Sequence, residues 1–335
     1  MTTLRQWAAI GALFVAAACS EGQDDPSPRP AETIPTSSAA DLPPITSLKE
    51  AKAQRIKVTG FVDWVVVAGG DAWVTTAAPE VRRLDGGTGD PSGDTSLPDE
   101  VCSSMDVGAG SVWAGACASA VLVRIDEKDG SVQARIKVGE RLLQNEGSVG
   151  AGEGAVWVLT VSPKPALYKV DPQTNKVADT FAAPEESAGV RAGLGHVWIT
   201  DTLNDELVAV DPRTGKESGR VKVGLGASFL AVGEGAVWVL NQADGSVTQV
   251  DPDALKAVRK IVVGESPVEG GDIAVGGGFV WARVSDSLVA QIDPRSGKVI
   301  ARFGTPEGSG SVAADDDAVW ITAHDADAVW RVPLP

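Results

Sequence analysis

The phrase VGEGAVWVL at residues 232–240 recurs along the chain: GAGEGAVWVL at 150–159, VGAGSVWAG at 107–115, AGLGHVWIT at 192–200 and VGGGFVWAR at 275–283. AGGDAWVTT at 68–76 and ADDDAVWIT at 314–322 are looser copies. The tryptophans that mark the copies are Trp73, Trp113, Trp157, Trp198, Trp238, Trp281 and Trp320, separated by 40, 44, 41, 40, 43 and 39 residues. A period near forty means one supersecondary unit per copy, each unable to bury its faces without its neighbours.

Each copy reads as four short strands. An apolar run such as FLAV (229–232) leads into a G-x-G turn, and the tryptophan strand follows. A polar loop then leads to a third strand ending in Asp-Pro, as in YKVDP (168–172), VAVDP (208–212), TQVDP (248–252) and AQIDP (290–294). A turn of the form DPRTGK (211–216) opens the fourth strand, with Pro fixing φ and Gly accepting a positive φ. No helical spacing of apolar residues occurs between 53 and 335. The expected fold is all-β, a seven-bladed β-propeller of four-stranded antiparallel blades. The last copy lacks its fourth strand, while AQRIKVTG (53–60) matches the fourth strand VQARIKVGE (132–140). Arg55–Thr59 should therefore close the ring as the outer strand of the last blade.

The region before the repeats has a different composition. Arg5 precedes the apolar run 8–18, which is too short to span a bilayer. Ala16-Ala17-Ala18-Cys19 resembles the lipobox of bacterial lipoproteins, in which the cysteine is lipidated and becomes the N-terminus. The bland alternative is an ordinary signal peptide over 1–19. The residue after the cysteine is Ser20 rather than the Asp that can retain lipoproteins in an inner membrane, which favours an outer membrane facing the periplasm if the cell has one. Residues 20–52, rich in Pro, Ser and Ala, read as a disordered tether, followed by the propeller at 53–335. Cys102 and Cys117 would face each other across a hairpin, and an oxidising compartment allows a disulfide. Two buried free thiols are the alternative.

The net charge of −16 excludes a nucleic-acid partner, since phosphate binding requires clustered Lys and Arg. GAGEG (150–154) leads into a strand, so no helix N-terminus is available for a dinucleotide pyrophosphate. The Asp-Pro turns lack the alternating acidic positions of a calcium loop. His196 belongs to a turn between first and second strands and His324 to a loop between second and third strands, on opposite faces of a propeller. The two histidines therefore cannot form a dyad or share a metal.

Loops that lead into first strands and loops that leave second strands open on one face. They bring Asp63, Glu146, Glu186, Glu269 and Asp272 together with Asn145, Asn204, Asp205, Asn241, Asp244, His324 and Asp325, and Arg141 and Arg191 are the cations nearby. Trp64 stands outside the tryptophan register at the head of a first strand. The expected binding residues are Asp63, Trp64, Arg141, Glu146, Arg191, Glu269, Asp272 and His324. An aromatic face beside carboxylates suits a cationic or amphipathic ligand. Trp64 as core and the carboxylates as solvated charge are the plain alternatives.

With these repeats, residues 53–335 resemble the bacterial propellers of the streptogramin (virginiamycin B) lyase-like and YVTN-type families; the carriers are the VGEGAVWVL phrases, the VDPRTGK turn at 210–216 and the cysteines flanking VGAGSVWAGAC. The resemblance implies either a ligand- or protein-binding module or a C–O lyase or hydrolase assisted by a divalent cation such as magnesium. The lyases' repeats read WFTE, whereas this chain has VWVL, VWIT and VWAR, so no catalytic residue is carried over. A quinone cofactor is not expected, because no adjacent cysteine pair accompanies the Asp-Pro turns. The expectation is a monomeric extracytoplasmic propeller with no cofactor, held to a membrane by the lipid on Cys19, binding an unidentified small molecule or envelope protein on its loop face.

Overall fold

The computed structural model describes residues 34–142 and 146–334; the side chains of Cys102, Ser103 and Ser162 are left aside. The expected signal segment with Cys19, residues 20–33 and Asn145 lie outside the described residues. Seven antiparallel sheets follow one another in sequence as blades 1 to 7, at 65–96, 101–137, 149–182, 187–222, 227–262, 273–303 and 312–333. Blade 4 shows the plan: inner strand Ser187–Gly193, tryptophan strand His196–Asp201, third strand Glu206–Val210 and outer strand Glu217–Lys222.

The repeated residues build one face of the ring, called here the closed face. In blades 1 to 6 its first-to-second-strand turns carry two consecutive positive φ angles, as at Glu234 (52°) and Gly235 (72°). That is the type I′ geometry whose twist matches the flanking strands. The glycine opening each turn is small for a second reason: a Cβ on Gly276 would lie 2.3 Å from the Ala314 carbonyl oxygen of the next blade. Trp73, Trp113, Trp157, Trp198, Trp238 and Trp281 each donate Nε1 to the carbonyl five residues earlier at 2.9–3.2 Å. The rings are buried between blades; Trp113, for instance, packs with Leu142, Val149 and Val156 of the next blade and its approach. Cross-strand cations cap four of them, Arg83, Arg124, Lys169 and Arg331 lying 5.0–5.7 Å from the rings of Trp73, Trp113, Trp157 and Trp320. In the Asp-Pro turns the carboxylate serves its own loop. Asp211 accepts from the amides of Arg213 and Thr214 at 2.9 and 2.8 Å, and these bonds hold its pKa below the usual range.

The ring closes as the sequence predicts, one residue earlier. Gln54–Lys57 is the outer strand of blade 7, with Ile56 opposite Val329, and Val58 extends the contact by donating its amide to Asp327. Ile56 and Val58 are 7% and 3% exposed. The tether reading needs correction over 34–52. Ile45–Thr46 pairs in parallel with Arg302 and Phe303 at the edge of blade 6, and the Ser37 amide bonds the Lys260 carbonyl at the edge of blade 5. A Pro-rich segment cannot build a sheet, but outer strands offer unpaired edges on which prolines are tolerated. For the cysteines, Val101 pairs with Ala116 and the Cys117 amide bonds the Glu100 carbonyl, so the strand ends carrying Cys102 and Cys117 run side by side.

Candidate functional site

The inner strands surround a central channel, and two positions in each repeat supply its side chains. Seven residues before the blade tryptophan stand Val66, Asp106, Gly150, Arg191, Ala231, Ala274 and Ala313; nine before it stand Trp64, Ser104, Ser148, Gly189, Phe229, Asp272 and Ser311. The first ring lies deeper. The second lies toward the opposite, open face, where loops lead into the inner strands. A channel cavity of about 250 Å³ is lined by Trp64, Asp106, Arg191 and Asp272 together with small apolar residues of all seven inner strands. A second cavity of about 390 Å³ forms the mouth, lined by Glu146, Glu186, Phe229 and Gln242 among others.

The serine positions of the upper ring have a structural job. Ser104 Oγ accepts the amide of Val149 in the next blade at 2.9 Å, and Ser311 Oγ accepts that of Val65 at 3.4 Å. Asp272 does the same work with one oxygen: Oδ2 accepts from the Val312 amide at 3.3 Å and from Ser311 Oγ at 2.7 Å. Its Oδ1 is buried without a hydrogen-bond partner. Asp272 is 2% exposed. Burial pushes its pKa up to about 6, against the pull of Arg191 and the Ser311 bond. Glu146 is pushed up to about 8, by burial first and then by the charges of Asp63 and Asp272. Asp106 is raised by burial, which outweighs Arg191 and the amides of Ala151 and Val107.

Arg191 answers the question Trp64 posed. Its guanidinium carbon lies 5.7 Å from the Trp64 ring centroid, and its Nη1 donates to the carbonyls of Val149 and Val190 at 3.0 and 2.8 Å. Trp64 is 1% exposed and donates Nε1 to the Met105 carbonyl at 3.0 Å. The aromatic face expected to meet a ligand cation is thus met by the protein's own arginine.

The structure brings together Asp63, Trp64, Glu146, Arg191 and Asp272, and separates the other expected residues. Glu269 is exposed and lines neither cavity; its amide donates to Ser285 Oγ. Arg141 is exposed in a short strand beside the end of the blade 3 tryptophan strand. His324 stacks on Phe61 at 4.3 Å and pairs with Asp325 at 2.7 Å, outside both cavities. His196 opens the tryptophan strand of blade 4 just after its closed-face turn, 5.0 Å from the Trp198 ring. Among the described residues no three His, Cys, Asp or Glu side chains converge to hold a metal ion. The acidic set with His324 therefore does not fit a resident magnesium ion. Asp106 and Phe229 join the site although the loop reading missed them. The signal was present: their alignment positions are small residues in most other copies.

No protein-family model matches the chain, and no curated protein sequence matches it. Solved structures do. RRP9 WD40 repeats align with TM-score 0.70 at 10% identity, covering 90% of this chain and 99% of theirs. The Cps50 (Swd1) β-propeller domain of Myceliophteria thermophila gives 0.69 at 13%, covering 84% and 100%. U3-55K gives 0.68 at 10%, covering 84% and 98%. At such identities the likeness is one of fold: the chain is a seven-bladed β-propeller with WD40 propellers as structural neighbours.

Proposed function

We propose that the protein is a lipid-anchored extracytoplasmic module that binds a protein partner on the open face of its propeller, without chemistry of its own. The observation that carries this reading is the make-up of that face. Phe61, Leu203 and Leu225, 49%, 66% and 58% exposed, stand on its loops, and the acidic mouth opens there. Exposed apolar residues around a charged depression suit a protein surface. The excess of acid in chain and mouth selects a basic one. The likeness to WD40 propellers agrees with a protein partner. Support for the anchor and the compartment is the Ala16-Ala17-Ala18-Cys19 sequence, and the Cys102–Cys117 disulfide belongs to the same reading.

A photo-crosslinking residue placed at Leu203 and, separately, at Leu194 in a closed-face turn tests the face in intact cells. Adducts are expected from position 203 and not from 194. Adducts from 194 alone, or from neither, would reject the open face. Cys19→Ser should move the protein from the membrane fraction to the soluble one. Mass spectrometry of unreduced peptides should recover Cys102 joined to Cys117, a link across 15 residues worth about 3 kcal/mol in the loop-entropy description.

A further inference from the structure

We propose that the channel mouth is a receptor for a single primary ammonium group, seated against Oδ1 of Asp272 with Asp63 and Glu146 around it. The role of Asp272 in joining blades is complete with Oδ2, as serine completes it at the same position in blades 2 and 7. Oδ1 is therefore surplus to the fold, and an unpartnered oxygen on a carboxylate this deeply buried requires a strong donor. The carboxylate lines the channel cavity itself.

The kind of donor follows from what surrounds it. Facing the site are Asp63 (blade 1), Asp106 (blade 2), Glu146 (blade 3), Glu186 and Arg191 (blade 4) and Asp272 (blade 6). Five carboxyl groups against one arginine, with Glu146 kept protonated by the crowding, mark a site that would accept a further positive charge. A metal ion does not meet the need, because no three of these groups converge as ligands. An ammonium does, since it needs only two carboxylates at contact, those of Asp272 and Glu146, and its third N–H can go to water or a backbone carbonyl. Arg191 below, already stacked on Trp64, repels a second cation and sets how deep the first can go.

Seating also moves a proton. Glu146 is held in its acid form by burial and by its acidic neighbours. When the ammonium arrives, the Glu146 carboxyl loses its proton to solvent and its carboxylate accepts an N–H, leaving the ammonium intact. Binding should release up to one proton and strengthen as pH rises from 6 to 8.

The ammonium belongs to a lysine side chain of the partner or to a free alkylamine; the first source rests on the open-face reading, while the receptor does not. Isothermal titration of the full-length chain in detergent, at fixed ionic strength and in two buffers of different ionisation enthalpy, tests it. The probes are n-butylammonium, tetramethylammonium, magnesium chloride and acetyl-Gly-Lys-Gly-amide. The expected result is n-butylammonium binding at least tenfold tighter than tetramethylammonium, with proton release at pH 7. Glu146→Gln should keep binding but abolish the release and its pH dependence. Asp272→Asn, checked for an unchanged melting profile, should weaken binding at least tenfold. Tighter binding of the peptide than of the amine assigns the site to a partner's lysine; exclusion of the peptide assigns it to a free amine. No heat with either amine on folded protein, a preference for magnesium, or binding indifferent to both variants overturns the proposal, whatever the crosslinking reports.

Discussion

The two faces of the ring are made from the same seven repeats and differ in how far the copies agree. On the closed face blades 1 to 6 share paired positive φ angles and an indole bonded five residues back, and in four blades a cation stands above the ring. On the open face the corresponding positions change from copy to copy. Nine residues before the tryptophan, serine occurs at 104, 148 and 311, but Trp64, Gly189, Phe229 and Asp272 take the place elsewhere. Repetition stabilises a ring because every blade solves the same packing problem. Recognition needs a surface that distinguishes one direction from another, so it arises where the repeats cease to repeat.

The largest test breaks the ring itself. A chain starting at Phe61 lacks the closing strand, while one starting at Ile34 keeps it. Burial of Ile56 and Val58 is worth about 3–6 kcal/mol, an upper bound given a compact unfolded chain. The shorter chain should melt far below the longer in calorimetry. Equal melting temperatures would mean that pairing with blade 7 contributes nothing to closure.

Two tryptophans then set the faces against each other. Trp238 belongs to the repeated register and Trp64 does not, yet both are buried and both donate Nε1 to a carbonyl. Alanine at either should cost about 3–5 kcal/mol by denaturant titration. Trp64→Ala should in addition free Arg191 from its ring and alter n-butylammonium binding, whereas Trp238→Ala should leave that binding alone. A Trp64 variant that lost no stability would return this residue to the role of an open ligand-binding face.

The acidic mouth makes the open face sensitive to pH. Glu146 rises from 4.5 to about 8 on folding. Between those values the folded state holds a proton that the unfolded chain has lost. Stability is therefore fully present below about pH 4.5 and declines as pH rises through 8. The loss is at most about 5 kcal/mol, an upper bound for a carboxyl that still meets solvent. Glu146→Gln should flatten the stability profile across pH 5–8. A profile unchanged by that substitution would place the titrating group elsewhere.

The sequence disclosed the closed face almost completely, because each of its signals is local and printed several times. Gly-bearing turns, a fixed tryptophan register and a displaced fourth strand suffice to fix blade count and closure. The site was half legible. Asp63, Glu146 and Asp272 follow from knowing which loops open on one face, but Asp106 lies within a strand and is visible only by aligning the copies. Glu269 and Asp272, three residues apart, differ because the strand carries only the second to the channel. That Arg191 covers Trp64 depends on contact between blades 4 and 1, across the channel. Nothing within either repeat encodes it. The order of residues 34–52 is likewise supplied by the edges of blades 5 and 6 rather than by that segment's own residues.

The smallest expected effect concerns how neighbouring blades are joined at the open face. Two residues after the tryptophan, Thr75, Thr200 and Thr322 each accept an amide from eleven residues earlier, and Thr200 and Thr322 donate onward to the next blade, to the carbonyls of Ser228 and Asp63. In blade 6 the position is Arg283, whose guanidinium reaches four carbonyls, those of Glu307 and Gly308 in the approach to blade 7 among them. Burial lowers the pKa of this arginine to about 10, leaving it charged at neutral pH. At two junctions, those after blades 4 and 7, one hydroxyl thus does what a buried cation does after blade 6. Thr200→Val keeps the shape and removes the bridge, leaving the Gly189 amide and the Ser228 carbonyl short of a partner, at about 1–2 kcal/mol. Hydrogen exchange should quicken at Gly189 while the closed-face amides of the same blade, Gly195 among them, keep their rates. Equal acceleration on both faces would mean that a blade yields as one body, and that the open face has no separate freedom with which to accommodate a partner.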